Sequence, residues 1–138
     1  MAIYKKGART QLSTHFNQSE FDCSCDQCTI TIIDPKLIDL LEKMRTALKT
    51  PIQINSGYRC AHKQEMLRIQ GYETAVGISQ HELGKAADLQ NGISLGFELE
   101  AAARQAGFKA VGQAQIWIHV DLRGIENGVE RAWKYKKS

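Results

Sequence analysis

Two short stretches hold most of the chemistry this chain can offer. The first is Ser79-Gln80-His81-Glu82-Leu83-Gly84-Lys85-Ala86-Ala87-Asp88 and the second is Ile118-His119-Val120-Asp121. They supply two imidazoles, His81 and His119, and one carboxylate, Asp88. That is the donor count of a catalytic zinc site, which leaves its fourth position open for water. Imidazole and carboxylate both suit zinc in tetrahedral geometry. A cation held there lowers the pKa of water toward neutrality and polarises a carbonyl, so convergence of the three residues points to hydrolysis. Taken singly, each has a plainer use: the histidines as surface or hydrogen-bonded residues, Asp88 as a turn or capping carboxylate.

For the three to meet, the chain must bring them to one face. His81 and Asp88 stand seven positions apart, with Gly84 between them. One helix would serve that spacing, but glycine disfavours a continuous helix. A loop-to-strand turn fits better, with His81 before the turn and Asp88 on a strand over 85–89. Residues 116–122 alternate with β-branched and aromatic side chains and read as a strand. Paired beside 85–89, it presents His119 and Asp88 to the same side.

Other elements frame this pair. Asp34 is a good N-cap and Pro35 fits the first helical position. Ile33 and Ile38 are placed for a hydrophobic staple. Leu37, Leu41, Met44 and Leu48 form one helical stripe, read as core packing. Asn17-Gln18-Ser19-Glu20 is a capping box that opens a short helical turn. A half-buried strand is expected over 51–55, helices over 61–69 and 97–105, the latter ended by Gly107, and a loop over 71–79. Residues 1–11 read as extended or frayed. Residues 125–138 read as a C-terminal tail, solvated at its lysines, in which Trp133 anchors a short segment. No repeat or low-complexity linker interrupts the chain, so one domain over 1–138 is expected.

The 138 residues suffice for one modest core, and the net charge of +3 favours approach to polyanions without being a nucleic-acid signature. No apolar run is long enough to span a bilayer. Met1-Ala2-Ile3-Tyr4-Lys5-Lys6 lacks a following apolar stretch and does not read as a secretory signal. The expectation is therefore a monomer made in the cytoplasm without a signal peptide, with neither nucleic acid nor membrane as partner. Cys23, Cys25 and Cys28 crowd together, with Cys60 remote in sequence. The four admit a structural metal, one or two disulfides, or reduced thiols, and a redox centre is a further reading.

With these residues assembled, the chain resembles the zinc D-Ala-D-Ala carboxypeptidase family of peptidoglycan-cleaving metallopeptidases, whose fold is shared by the hedgehog signalling domain. The likeness runs from about Leu12 to Gly124. It rests on Leu12-Ser13-Thr14-His15-Phe16 with Glu20-Phe21, Ser56-Gly57-Tyr58-Arg59, Ser79-Gln80-His81, Gly84-Lys85-Ala86-Ala87-Asp88, Gly107-Phe108 and His119-Val120-Asp121, in this order.

The resemblance implies an α+β fold, in which a small, mainly antiparallel sheet carries a zinc site and helices flank it. It makes His81, Asp88 and His119 the zinc ligands. It assigns Arg59 to the family arginine that binds and polarises the substrate carbonyl, the plainer alternative being a structural ion pair. Ser79 and Gln80 flank the first ligand as candidates for holding substrate or supporting the ligands. Some family members place a glutamate three residues before the last ligand and others a histidine two before it; Ile116 and Trp117 stand there instead. Asp121 remains and is taken as the catalytic base, which takes a proton from water and passes it to the leaving amine, the alternative being the carboxylate that orients a ligand histidine. His15 and His62 are not expected to be ligands. The implied activity is hydrolysis of amide bonds in the peptide stems of peptidoglycan, a D-Ala-D-Ala carboxypeptidase or related endopeptidase. It uses one catalytic zinc, with a second, structural zinc on the cysteines as an option. A non-catalytic zinc-binding recognition or phage structural domain is the alternative. The implied setting is a phage or prophage product that acts on the cell wall after release.

Overall fold

Asp34 and Pro35 set the first long helix. A computed structural model describes residues 1–72, 79–90 and 96–135. In it α1 spans Pro35–Leu48, and the Asp34 side chain accepts from the Lys36 N–H at 2.9 Å. Leu37, Ile38, Leu40, Leu41 and Met44 are buried along its inner side. Ile33, just before the cap, joins Ile38 in the same core, as a staple requires. Before this helix lie β1 (Ala2–Lys5) and β2 (Ile30–Ile33), which pair antiparallel as a separate two-stranded sheet. The amino-terminal segment is thus extended, as the sequence suggests, but not frayed: its backbone groups are taken up by β2. A 3-10 turn, Gln18–Glu20, sits between the two strands, and Asn17 and Glu20 complete the expected capping box.

The main sheet has five strands. After α1 come β3 (Ile54–Ser56), α2 (Ala61–Ile69), β4 (Ala86–Gln90), α3 (Gly96–Ala106), β5 (Ala110–Gln113), β6 (Trp117–Asp121) and β7 (Arg131–Lys134). The order across the sheet is β3-β4-β6-β5-β7. Every pairing is antiparallel except β5 with β7, which is parallel. The fold is therefore α+β, with three α-helices and two sheets among the described residues. No described helix is long and apolar enough to cross a membrane.

Period-two alternation gives this sheet two unlike faces. Ala87, Leu89, Ile118, Val120 and Val111 point into the core, where they meet residues of α1 and of α3, among them Leu99 and Ala103. Asp88, His119 and Asp121 alternate with them and therefore face the other way. The register lines up Ser56 with Asp88, Asp88 with His119, His119 with Gly112 and Gly112 with Trp133. One row across all five strands carries two of the candidate ligands near its middle.

Several expectations need correction. The half-buried strand lies at Ile54–Ser56 rather than over 51–55. The 125–138 tail contains a true strand, β7, docked on β5, and Tyr135 beyond it stacks on Trp117 at 4.8 Å between ring centroids. Strand β5 was not anticipated, because Ala-Val-Gly-Gln is short and carries a glycine. Of the expected 71–79 loop, residues 73–78 lie outside the described residues.

His15 proves to be a packing device rather than a ligand. Glu42 on α1 accepts from the Ser13 hydroxyl at 2.6 Å and the His15 backbone N–H at 2.6 Å, and pairs with His15 Nδ1 at 2.9 Å. Burial pushes the Glu42 carboxyl up, but these donors outweigh it and hold the pKa below its ordinary value. A carboxyl depressed in the folded state stabilises above its unfolded pKa, and that contribution is lost as pH falls through the folded value. Glu42→Gln should therefore cost about 1 kcal/mol at pH 7, a figure kept small by the half-exposed setting. Urea unfolding of both proteins should show the difference vanish in acid.

Candidate metal centre

The centre is assembled from four separate segments. His81 lies in a tight turn: its backbone N–H donates to Ser79 Oγ at 3.1 Å, and its carbonyl accepts from the Gly84 N–H at 3.3 Å and the Arg59 N–H at 3.2 Å. Gly84 makes the turn possible. It sits at φ +72°, and a Cβ there would fall 2.3 Å from the Ile32 carbonyl oxygen. The chain then enters β4 and delivers Asp88, opposite His119 on β6.

All three candidate ligands are buried, and their donor atoms converge. Asp88 Oδ1 lies 3.3 Å from His81 Nε2 and 3.0 Å from His119 Nδ1. Ligand atoms on a tetrahedral zinc with bonds of 2.0–2.1 Å are spaced by about 3.3 Å. The remaining ring nitrogens are both committed. His81 Nδ1 lies 2.7 Å from the Gly57 carbonyl oxygen, and His119 Nε2 lies 2.7 Å from Asp121 Oδ2.

Those partners fix what the inner atoms must be. A carbonyl oxygen only accepts, so His81 Nδ1 carries the proton and neutral His81 aims an Nε2 lone pair at Asp88. If His119 Nε2–H donates to the Asp121 carboxylate, its Nδ1 lone pair points the same way. Two nitrogen lone pairs and a carboxylate oxygen then face one another, which is repulsive until a cation sits among them. The donor set and its spacing fit zinc, and each histidine already has the outer acceptor that metal-bound imidazoles commonly use.

The electrostatics set the two histidines apart. Burial raises the Asp88 pKa, but the adjoining His81 and His119 outweigh it and hold the carboxyl far below its usual range. Burial drives His81 down despite Asp88. Burial also opposes charging of His119, yet hydrogen bonds to Asp121 and Asp88 prevail and raise it. Asp121 is fully buried, and against that burial His119 and Arg123 bring its pKa down to about 2.

Two arginines flank the acids. Arg59 Nη2 meets Asp88 Oδ2 at 2.6 Å, while its Nε donates to Ser56 Oγ at 2.8 Å and its Nη1 to Gln64 Oε1 at 3.2 Å. Arg123 donates its backbone N–H and its Nε to Asp121 Oδ1, and its Nη2 to Asp121 Oδ2. The guanidinium also lies over Trp133, 5.2 Å from the ring centroid. Trp133 and Tyr135 wall the His119 side, at 5.4 and 6.5 Å between ring centroids. Burial first, then the charges of Asp88 and Asp121, pushes the Tyr135 phenol up to about 12, so it keeps its proton at neutral pH.

A profile of the Peptidase M15 family matches residues 14–121. That span includes the whole convergent set. The chain belongs to the peptidase M15 family. No curated protein matches it. M15 peptidases are zinc-dependent and include zinc D-Ala-D-Ala carboxypeptidases, so membership implies a hydrolase of peptides.

In this M15 peptidase, then, the structure brings together His81, Asp88, His119, Arg59 and Asp121. Ser79 is buried and supports the His81 backbone, and Gln80 is half-buried in the same turn, its carbonyl accepting from the Lys85 N–H at 3.0 Å. His62 stands exposed at the start of α2. The four cysteines gather as a second, separate group. Sequence reasoning missed the Gly57 carbonyl, Arg123, Gln64 and Tyr135. Arg123 was within reach: His119, Asp121 and Arg123 follow one another at strand spacing. A backbone carbonyl leaves no such sign.

Gly112 is what admits the aromatic wall. A Cβ at this position would fall 2.4 Å from Trp133 Cε2. Gly112→Val should push the indole off His119 and destabilise the fold by about 1–3 kcal/mol, as overpacking does. Urea unfolding reads the loss, and Trp133 fluorescence reads the displacement.

Proposed function

We propose that this M15 peptidase hydrolyses amide bonds in peptidoglycan stem peptides, as a D-Ala-D-Ala carboxypeptidase or a related endopeptidase. The observation that carries the reading is Asp88 Oδ1 lying 3.3 Å from His81 Nε2 and 3.0 Å from His119 Nδ1, with all three donors within 4.8 Å of one another and both outer imidazole nitrogens already anchored. The ordered motifs shared with peptidoglycan-cleaving relatives support the substrate class, and the +3 charge suits a polyanionic wall. The wall lies outside the cytoplasm, so action there follows release from the cell. A phage or prophage origin is proposed by analogy alone.

Zinc held by His81, Asp88 and His119 supplies Lewis-acid polarisation of a carbonyl and of water. The chain's own residues supply the rest. Arg59 is fixed by Ser56, Gln64 and Asp88, and its cation steadies negative charge developing on the substrate carbonyl oxygen. Ser79 and Gln80 shape the approach to His81. Trp117, Trp133 and Tyr135 shield one side from water, and the protonated Tyr135 is a hydrogen-bond donor rather than a base. Asp121 we place as the orienting carboxylate of His119. A proton relay through it needs an available oxygen, and both of its oxygens are engaged by Arg123 and His119.

That engagement also favours a second reading, a zinc-binding domain without catalysis. Ile116, exposed at the place where some relatives carry a glutamate, points the same way. Peptidoglycan embedded in a gel separates the two. Catalysis predicts clearing that chelation abolishes and zinc restores, with cleavage of a synthetic stem peptide at one defined amide bond. Zinc binding without cleavage of either substrate leaves the non-catalytic reading.

Asp121→Asn tests the orienting role. It should weaken zinc binding by about 10–100-fold while zinc-saturated protein retains most of its kcat. A kcat loss of about 100-fold or more at full zinc occupancy, with affinity unchanged, would make Asp121 the base instead.

A further inference from the structure

We infer that Cys23, Cys25, Cys28 and Cys60 form a second metal site, a structural zinc tetrathiolate, which fastens the segment carrying Arg59 and the Gly57 carbonyl. All four sulfurs are free thiols and lie within 4.8 Å of one another. Four of their six separations are short: Cys23 to Cys25 is 3.5 Å, Cys25 to Cys28 3.5 Å, Cys23 to Cys60 3.7 Å and Cys25 to Cys60 3.3 Å. A tetrahedral zinc with bonds of 2.3 Å sets its sulfurs about 3.8 Å apart. The four surround one point rather than forming two pairs, which is the arrangement a metal needs. Soft thiolates in this geometry select zinc or iron over hard cations.

Two donors face the sulfurs. The Lys6 ammonium donates to Cys28 Sγ at 3.4 Å and to the Cys25 carbonyl. The Lys63 backbone N–H donates to Cys60 Sγ at 3.5 Å, with Cys60 as the N-cap of α2. A cation and a helix N-terminus both favour negative sulfur.

Apolar packing holds little of this loop: among the described residues, Cys23, Tyr58 and Cys60 form a cluster apart from the main core, with Cys25, Cys28 and Ile32 packed against it. That is scant apolar burial for a loop without regular structure, and metal binding supplies folding free energy where a core is too small.

The connection to the catalytic centre is short. Cys60 follows Arg59 directly, and the Tyr58 N–H donates to the Phe21 carbonyl at 2.9 Å, two residues before Cys23. The sulfurs therefore tie the 23–28 loop to Ser56–Cys60, the segment that supplies Ser56 Oγ, Gly57 O and Arg59 to the metal centre. The thiolate site itself stands whether or not the protein is a peptidase. Its influence on the His81–Asp88–His119 centre rests on the zinc reading proposed above.

Metal analysis of the protein expressed with zinc tests the site. The double variant His81→Ala/His119→Ala should keep one zinc per chain, and the wild type should hold two. Cobalt loaded into that double variant should show intense near-ultraviolet thiolate-to-metal charge transfer, and its thiols should resist a thiol reagent until a chelator is added. A folded double variant that binds no metal, shows disulfides by mass, or carries iron with inorganic sulfide would overturn the zinc tetrathiolate. Cys28→Ser should then weaken zinc binding at the His81–Asp88–His119 centre by about 10–100-fold, the scale of a lost supporting partner. Cys28→His, which keeps a zinc donor, should restore it. Unchanged affinity in Cys28→Ser, or no rescue by Cys28→His, would overturn the coupling.

Discussion

Everything at the centre depends on Asp88 Oδ1 being flanked by two imidazole nitrogens whose outer partners are already spoken for. Remove either outer acceptor and an imidazole is released to turn, or to take a different tautomer, and the three donors no longer face one point. The Gly57 carbonyl is a backbone group and cannot be altered by substitution at its own side chain. Asp121 is a side chain, buried and already neutralised by Arg123. The two histidines are therefore held by different means, one by the path of the main chain and one by an ion pair.

Charge balance explains why both arginines are present. Two buried carboxylates without compensation would be far too costly, and each is met on its outer side by a guanidinium. Arg59 takes Asp88 Oδ2 and leaves Oδ1 for the centre. Arg123 uses its fork on Asp121 and its flat face on Trp133, a combination lysine cannot reproduce. With both acids paired, the net positive charge of a divalent cation is not cancelled in advance by unpaired anions.

Much of this was legible in the sequence, and the omissions have physical causes. Asp34-Pro35 and the Leu37 to Leu48 stripe announce α1 because capping and helical periodicity agree. Residues 61–69 match α2 to the residue. His81 and Asp88 declare themselves because Gly84 forces a turn between them, and the alternation over 116–122 places His119 on a strand. The strands Ala2–Lys5, Ala110–Gln113 and Arg131–Lys134 left weak traces: each has four residues, one contains glycine, and one mixes charges with Ala and Trp. What stabilises them is pairing with distant strands, which no local window contains. For the same reason the reading of 125–138 as a tail missed that Trp133 and Tyr135 reach the site.

The row Ser56, Asp88, His119, Gly112 and Trp133 shows how the sheet turns sequence into position. Each strand contributes one residue at one level, so their spacing is fixed by the hydrogen-bonded ladder and not by loops. The opposite face of β4 and β6 is filled by Ala87, Leu89, Ile118 and Val120, all buried in the core. A one-residue slip of either strand would drive Asp88 or His119 into that core and the aliphatic residues into the site. The core thus enforces the register on which the candidate metal centre depends, at a large energetic penalty for error. Of the three candidate ligands, His81 alone lies off the ladder. It is placed by the turn at Gly84 and by the 57–60 segment, which makes that segment the part of the site whose position the sheet does not guarantee.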